Sequence, residues 1–143
     1  MPILNIHLVQ DRFDAATIQK LLLRCSEAFA AGLRCPVDRV RVFVTEHKPD
    51  FYCVGGKFVS DGAVAAPYFS FMVLEGRSLE DRQHLLRTFT DIIVEMLDVP
   101  RESVRGGVVP VSPENWSVAG VPASILRQSE IEERRKTAEQ KAP

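Results

Sequence analysis

Prolines, arginines and aromatic residues recur along this chain at nearly constant separations, and the arginines are the ones that could bind an anion. The pairs separated by 65 positions are Pro2 with Pro67 and Arg12 with Arg77. The pairs separated by 64 positions are Arg41 with Arg105, Tyr52 with Trp116 and Gly56 with Gly120. A guanidinium group is a planar fork that can hold a carboxylate through two hydrogen bonds and stabilise an enolate-like charge as it forms. The recurrence indicates an internal duplication, with such arginines at equivalent points of two units.

Metal-binding and disulfide chemistry is disfavoured by the spacing of the residues that would perform it. The chain has three cysteines, Cys25, Cys35 and Cys53, and three histidines, His7, His47 and His84. The cysteines are odd in number and form no C-x-x-C motif, so we interpret them as small core residues. The histidines are far apart in the sequence and lack metal-ligand spacing, so we interpret them as strand or surface residues. We therefore expect neither a metal ion nor a cofactor.

Length and composition are typical of one globular domain. The chain has 143 residues, of which 45% are hydrophobic and 26% are charged, enough to form a single packed core. A formal net charge of -1 argues against general binding to nucleic acid or to an anionic membrane. No apolar run approaches the length of a membrane span, and no secretory leader is recognisable. We expect a cytoplasmic protein with neither nucleic-acid nor membrane partners.

The first unit has the pattern of a strand, a helix and a second strand. Residues 3–9 alternate as a strand, and residues 15–33 carry apolar side chains at helical spacing, with Asp14 as the expected N-cap. Residues 39–46 alternate again. A strand that follows a helical crossover pairs in parallel with the first, so this unit is predicted to be a parallel β-α-β unit.

The second unit repeats this order. It comprises a strand in residues 67–76, a helix in residues 78–97 with Ser78 as its cap, and a strand in residues 103–111. The sequence therefore predicts an α/β (α+β) fold of two fused β-α-β repeats, residues 2–60 and 67–122, with a four-stranded sheet and both helices on one face. The other face needs a covering partner, which predicts a closed oligomer.

The end of the chain differs in composition from both repeats. Residues 1–122 are predicted to form a single domain, and residues 123–143 are a charged extension with almost no apolar stripe. We interpret this extension as solvated, partly helical and without a chemical role.

Several segments of the two repeats resemble the tautomerase superfamily, whose short members include 4-oxalocrotonate tautomerase. The likeness covers residues 2–120 and rests on the proline start and on the segments VQDR, LEGRS, RVRVFVTE and FYCVGG. It implies a homotrimer of fused β-α-β pairs that binds a small carboxylate-containing substrate. It also implies that Met1 is removed and that the amine of Pro2 is the catalytic base. Pro67 cannot act in this way, because its nitrogen lies within a peptide bond.

The resemblance assigns roles to the recurring residues. Arg77 matches an active-site arginine of long members and is the leading candidate for binding the substrate carboxylate, while Arg12 is its counterpart in the first repeat. Arg41 and Arg105 match a mid-strand arginine of short members, which reaches a site in the same or an adjoining protomer. Tyr52 and Trp116 match an aromatic wall, with core or interface packing as the alternative role.

Four functions are compatible with this resemblance. The leading one is proline-dependent keto-enol tautomerisation of a small 2-oxo acid or dienol. Decarboxylation of a 3-oxo acid, as in malonate semialdehyde decarboxylase, would use Asp38 in the segment PVDR, which could instead stabilise a turn. A cis-3-chloroacrylic acid dehalogenase or hydratase is disfavoured, because Phe29 and Val108 occupy the expected histidine and tyrosine positions and the segment WSVAG has no acid. The fourth function is that of a non-catalytic trimeric binding protein.

Overall fold

The computed structural model describes residues 2–142, so the predicted removal of Met1 lies outside the described residues. The long strands are β1 (Ile3–Val9), β2 (Arg41–His47), β5 (Tyr68–Leu74) and β6 (Arg105–Val111). The short strands are β3 (Cys53–Val54), β4 (Lys57–Phe58), β7 (Ser117–Val118) and β8 (Val121–Pro122). The helices are α1 (Ala15–Leu33), α2 (Leu79–Leu97), α3 (Ala123–Leu126) and α4 (Gln128–Lys141). Among these helices none is both long and apolar enough to cross a bilayer.

The long strands form one sheet in the order β2-β1-β5-β6. Strand β1 pairs in parallel with β2, and β5 pairs in parallel with β6. The two units meet through the antiparallel pair β1 and β5, in which Ile3 lies opposite Met72. The predicted sheet of two fused β-α-β repeats is confirmed.

Both long helices begin at the predicted caps. The side chain of Asp14 accepts a hydrogen bond from the Thr17 amide at 2.7 Å, and that of Ser78 accepts one from the Asp81 amide at 3.0 Å. Each cap satisfies an amide that has no partner within its own helix. The helices also end alike, because Arg34 and Asp98 both adopt the left-handed conformation at the C-cap.

The core lies between the helices and one face of the sheet. Its largest members are four fully buried phenylalanines, Phe29, Phe69, Phe71 and Phe89. Phe89 contacts each of the other three edge-on, with ring centroids 5.1 to 5.9 Å apart. Burying one such side chain contributes about 1.5 to 3 kcal/mol. Because Phe69 and Phe71 both belong to β5, the cluster joins α1 and α2 to that central strand.

The opposite face of the sheet carries apolar side chains without cover in the single chain. Phe43, Tyr68, Met72 and Val109 are 41% to 51% exposed. They lie on β2, β5 and β6. Because side chains alternate along a strand, these residues point away from the core while their neighbours in sequence point into it. We call these residues the open face.

A short hairpin closes each repeat in the same way. Strands β3 and β4 form the first hairpin, and β7 and β8 form the second. The Val59 amide donates to the Tyr52 carbonyl in the first, and the Ala123 amide donates to the Trp116 carbonyl in the second. The duplication seen in the sequence thus extends to individual backbone hydrogen bonds.

Candidate active site

Pro2 is buried and lines a small pocket. Its apolar walls come from the end of α1 and from β5, and its charged walls come from the turns before β2 and α2 and from the C-terminal segment. The lining comprises Pro2, Leu33, Cys35, Val73 and Leu74 together with Arg39, Arg77, Arg127, Glu130 and Arg134. The cavity volume is about 20 Å³, enough for about one water molecule.

The sheet register places Arg77 beside Pro2. Because Ile3 pairs with Met72 in the antiparallel ladder, Pro2 lies level with the end of β5. Gly76, with φ of 101°, then turns the chain in a conformation that favours glycine. Arg77 follows and donates a hydrogen bond to the Leu33 carbonyl at 2.8 Å. Burial, followed by the positive charge of Arg134, lowers the pKa of Arg77 below its ordinary value, but the guanidinium remains charged at neutral pH.

Four guanidinium groups and one carboxylate line this pocket. Arg39 and Glu130 form a two-pronged ion pair with both nitrogen-oxygen distances at 3.1 Å. This pair holds the pKa of Glu130 below its ordinary value, mainly through the hydrogen bond from Arg39. The lining therefore has a surplus of positive charge, which favours an anionic ligand.

Two of the arginines have donors without partners. The Nε of Arg127 is buried and has no hydrogen-bond partner within residues 2–142. The guanidinium of Arg134 makes no hydrogen bond or ion pair to the part of the chain that the structure describes. Burial is the main cause that lowers the pKa of Arg134, and the charges of Arg39 and Arg34 lower it further. A buried donor without a partner is costly, so the Nε of Arg127 is positioned for an external acceptor. The half-buried guanidinium of Arg134 adds positive charge to the same pocket.

A larger cleft opens next to the Pro2 pocket, between α4 and the ends of α1 and α2. Its volume is about 850 Å³, which lies within the range of small-molecule sites. The two cavities share Leu33, Cys35, Arg39, Arg77, Glu130 and Arg134. The cleft therefore adjoins the pocket of Pro2 along a boundary that includes the ion pair of Arg39 and Glu130.

Similarity to known proteins agrees with this fold. A family model described as tautomerase enzyme matches residues 67–124. A probable tautomerase of Ralstonia nicotianae is 37% identical over 62 residues, which are 43% of this chain and 89% of the relative. The 2-hydroxymuconate tautomerase of Comamonas testosteroni is 37% identical over 60 residues, which are 42% of this chain and 95% of the relative. The chain belongs to the tautomerase family. Each relative corresponds in length to about one repeat, and their names support an enzyme of the isomerase kind.

Solved structures show the same fold over both repeats of this chain. Native fused 4-OT has a TM-score of 0.82 at 24% identity, covering 87% of this chain and 98% of that one. A second fused 4-OT, an asymmetric trimer, has a TM-score of 0.79 at 19% identity with the same coverage. N1, a member of the cis-3-chloroacrylic acid dehalogenase family, has a TM-score of 0.74 at 16% identity, covering 94% and 99%. At these identities the likeness concerns the fold alone.

Of the predicted site residues, all of which lie within residues 2–142, Pro2 and Arg77 are the two that line the pocket. Arg12 is exposed in the turn after β1. Asp38 is exposed in the short turn of residues 37–39 and its side chain does not line the pocket. That turn orients Arg39 inward, whereas the neighbouring Asp38 faces solvent.

The mid-strand arginines and the aromatic pair lie elsewhere in the chain. Arg41 donates to the carbonyls of Asp38 and Val40, and Arg105 donates to those of Glu102 and Val104. These equivalent contacts hold both guanidinium groups against the turn before their own strand. The Tyr52 hydroxyl donates to the Ala66 carbonyl, and Trp116 is partly buried in the second hairpin. None of these four side chains lines the pocket of Pro2 in the single chain.

Four pocket residues were missed by the sequence analysis: Arg39, Arg127, Glu130 and Arg134. The extension that was predicted to be solvated and without a chemical role supplies the last three of them. A signal was present, because positions 127, 130 and 134 follow a spacing of three and four residues and so share one face of a helix. That face is charged, whereas the usual sequence signal of a packed helix is an apolar stripe.

His7 and His47 lie on strands, as expected, and they also contact each other. His7 and His47 are 40 positions apart in the sequence, yet His7 Nδ1 lies 2.7 Å from His47 Nε2 on the open face. Within residues 2–142, no group of three or more histidine, cysteine or acidic side chains is arranged to hold a metal ion.

Proposed function

We propose that this tautomerase catalyses keto-enol isomerisation of a small 2-oxo acid or dienol, with Pro2 as the general base after removal of Met1. The observation that carries the proposal is the burial of Pro2 in a pocket lined by four guanidinium groups. The names of the relatives, including 2-hydroxymuconate tautomerase, support the same reaction class.

The pocket suits an amine that must be neutral near physiological pH. Desolvation and neighbouring positive charges both disfavour a protonated amine, so they lower its pKa. In the enolising direction the neutral amine of Pro2 would take a proton from the carbon beside the substrate carbonyl and pass it to the carbonyl oxygen, and in ketonisation it would carry the proton of the enol hydroxyl back to a carbon. The electrons of the broken carbon-hydrogen bond pass to the carbonyl oxygen, where a guanidinium stabilises the enolate.

Arg77 is the group that we assign to the substrate carboxylate. It lies in the same pocket as Pro2, and a single nitrogen is used in its bond to the Leu33 carbonyl. Its remaining donors are therefore available for a two-pronged contact. Asp38, the residue that decarboxylation would require, is exposed outside this pocket, which supports tautomerisation over decarboxylation.

We also propose that the protein is a homotrimer. The open face exposes apolar side chains that a neighbouring sheet would bury, and the similar fused 4-OT structure is a trimer. In this assembly Arg41, Arg105, Tyr52 and Trp116 are the residues that we expect to approach a neighbour's site. Light scattering coupled to size exclusion tests the assembly, and a monomeric mass would overturn it.

The test of the catalytic proposal is a matched pair of proline variants. Pro2→Ala should lower kcat/KM for ketonisation of 2-hydroxymuconate or enol-phenylpyruvate by about 10² to 10⁴, the usual contribution of a general base. Pro67→Ala is the control, because Pro67 is equally buried at the start of its strand but its nitrogen carries no proton-accepting pair. Intact mass should show a native chain lighter by one methionine. Unchanged turnover in Pro2→Ala, or a retained Met1, would contradict the assignment.

A further inference from the structure

We propose that the C-terminal segment, including α4, forms part of the substrate site. Arg134, with Arg127, binds an anionic group of the substrate. The carboxylate of Glu130 occupies a second anion position, on Arg39, until the substrate displaces it. The inference rests on the proposed function for the identity of the reacting group, Pro2. It gives the C-terminal extension a role in binding and in access.

The first step of the argument is the size of the two cavities. The pocket at Pro2 has room for about one water, while the adjoining cleft has about 850 Å³. A substrate of even a few carbon atoms therefore fits the cleft but not the pocket as it stands. Arg39 and Glu130 line both cavities, so their ion pair forms part of the boundary between the cleft and the pocket of Pro2.

The second step is the chemistry of that ion pair. Glu130 presents a carboxylate to Arg39 through two bonds of 3.1 Å, which is the arrangement a substrate carboxylate would adopt. Replacing one carboxylate by another on the same guanidinium preserves the number of charged hydrogen bonds. Displacement of Glu130 is thus a low-cost way to enlarge the pocket. Helix α4 is suited to such movement, because none of its residues is fully buried.

The third step concerns the arginine hydrogen-bond donors in the pocket that Glu130 does not bind. Arg127 has a buried Nε without a partner, and Arg134 is half-buried without a hydrogen bond or ion pair to the described residues. A ligand with a second anionic group would satisfy them while its first group binds Arg77 or Arg39. Arg134 should therefore discriminate between substrates with two carboxylates and substrates with one.

The test uses charge-removing variants of the full chain and two controls on the same helix. Arg134→Gln and Glu130→Gln change the proposed residues. Arg135→Gln and Glu132→Gln make the same changes at exposed positions that line neither cavity. Calorimetric titration with malonate measures anion binding without turnover, and steady-state kinetics compare 2-hydroxymuconate, a dicarboxylate, with enol-phenylpyruvate, a monocarboxylate.

The expected results have opposite signs for the two proposed residues. Glu130→Gln should tighten malonate binding by about tenfold, and Arg134→Gln should weaken it by about tenfold, each corresponding to roughly 1.4 kcal/mol. Arg134→Gln should also raise KM for the dicarboxylate more than for the monocarboxylate, with little change in kcat. Both controls should match the unmodified protein.

Three outcomes would overturn the inference. The first is unchanged or weaker malonate binding in Glu130→Gln, and the second is unchanged malonate binding in Arg134→Gln. The third is a change of malonate affinity in the control variants as large as that in the proposed ones. The proposed function fails separately, through an active Pro2→Ala variant. If Pro2→Ala is inactive while the α4 variants bind malonate normally, the catalytic proposal stands and the role of α4 falls. If the α4 variants change malonate binding as expected but the protein has no tautomerase activity, the catalytic proposal falls and the role of α4 in anion binding stands.

Discussion

Arg77 and Arg12 occupy equivalent positions in the two repeats, but only Arg77 lies beside a proline that can become a chain terminus. Arg77 is half-buried in the pocket of Pro2 and is held by the Leu33 carbonyl. Arg12 is exposed, and Pro67, the counterpart of Pro2 in the second repeat, is internal to the chain. The duplication therefore provides two similar frameworks, of which one contains a potential base.

Replacing each of these two arginines in turn distinguishes a catalytic effect from the effect of losing a positive charge at the surface. Arg77→Gln should lower kcat/KM by about 10² to 10³, the usual effect of removing a donor that stabilises developing charge. Arg12→Gln removes the same charge from an exposed position and should leave kcat/KM near that of the unmodified protein. Equal kinetic parameters for the two variants, measured at matched protein concentration, would exclude Arg77 from the site.

At the scale of elements, close contact between adjacent strands depends on a single glycine. A Cβ built at Gly106 would lie 2.1 to 2.5 Å from three atoms of the Phe69 ring. Phe69 is buried and packs against Phe89 in the core, so its ring cannot retreat without disturbing that cluster. At neighbouring Gly107, on the other face of β6, a Cβ would meet nothing within 4 Å.

The neighbouring glycines give a stability prediction with an internal control. Gly106→Ala should lower the free energy of unfolding by about 1 to 3 kcal/mol or more, because it overpacks a filled core. Gly107→Ala makes the same chemical change in open space and should have a much smaller effect. Urea unfolding of both variants at one protein concentration measures the difference. Equal stability of the two would show that the Phe69 ring can move at little cost.

The elements differ in how far they could be predicted from the sequence. Helix α1 begins and ends as predicted because Asp14 caps it and apolar spacing marks its buried face. The contact of α4 with the body could not be predicted in this way, because it depends on charge pairing rather than on apolar burial. Its main ion pair joins Arg39 to Glu130, 91 positions apart, and neither residue is marked by local sequence.

At the scale of the whole molecule, the open face combines apolar side chains with a histidine pair. His7 lies against His47 and also against Tyr68, with ring centroids 5.0 and 5.5 Å apart. The Asn5 amide lies 3.3 Å from His7 Nε2, and the Thr45 hydroxyl donates to Asn5 at 2.9 Å. The pairing could not be predicted from spacing, because it follows from the register that places His7 opposite Thr45 and His47 at the end of β2.

This pair makes the stability of the protein depend on pH. Burial, and secondarily the charge of His47, lowers the pKa of His7 below its ordinary value. The unfolded chain therefore binds more protons than the folded chain over the interval between these two pKa values. The contribution of His7 is present above the ordinary histidine pKa, about 6.5, and is lost as the pH falls through the lower pKa of the folded state.

We expect the free energy of unfolding to decrease between pH 7.5 and pH 5.5, and to decrease less in His7→Gln. The variant lacks the group whose pKa differs between the folded and unfolded states, so its linkage to proton binding is smaller. His84→Gln is the control, because His84 is exposed on α2 away from this pair. Denaturant unfolding at several pH values and one protein concentration, which an oligomer requires, measures the slopes. A slope in His7→Gln equal to that of His84→Gln would show that the histidine pair does not govern the acid sensitivity of the fold.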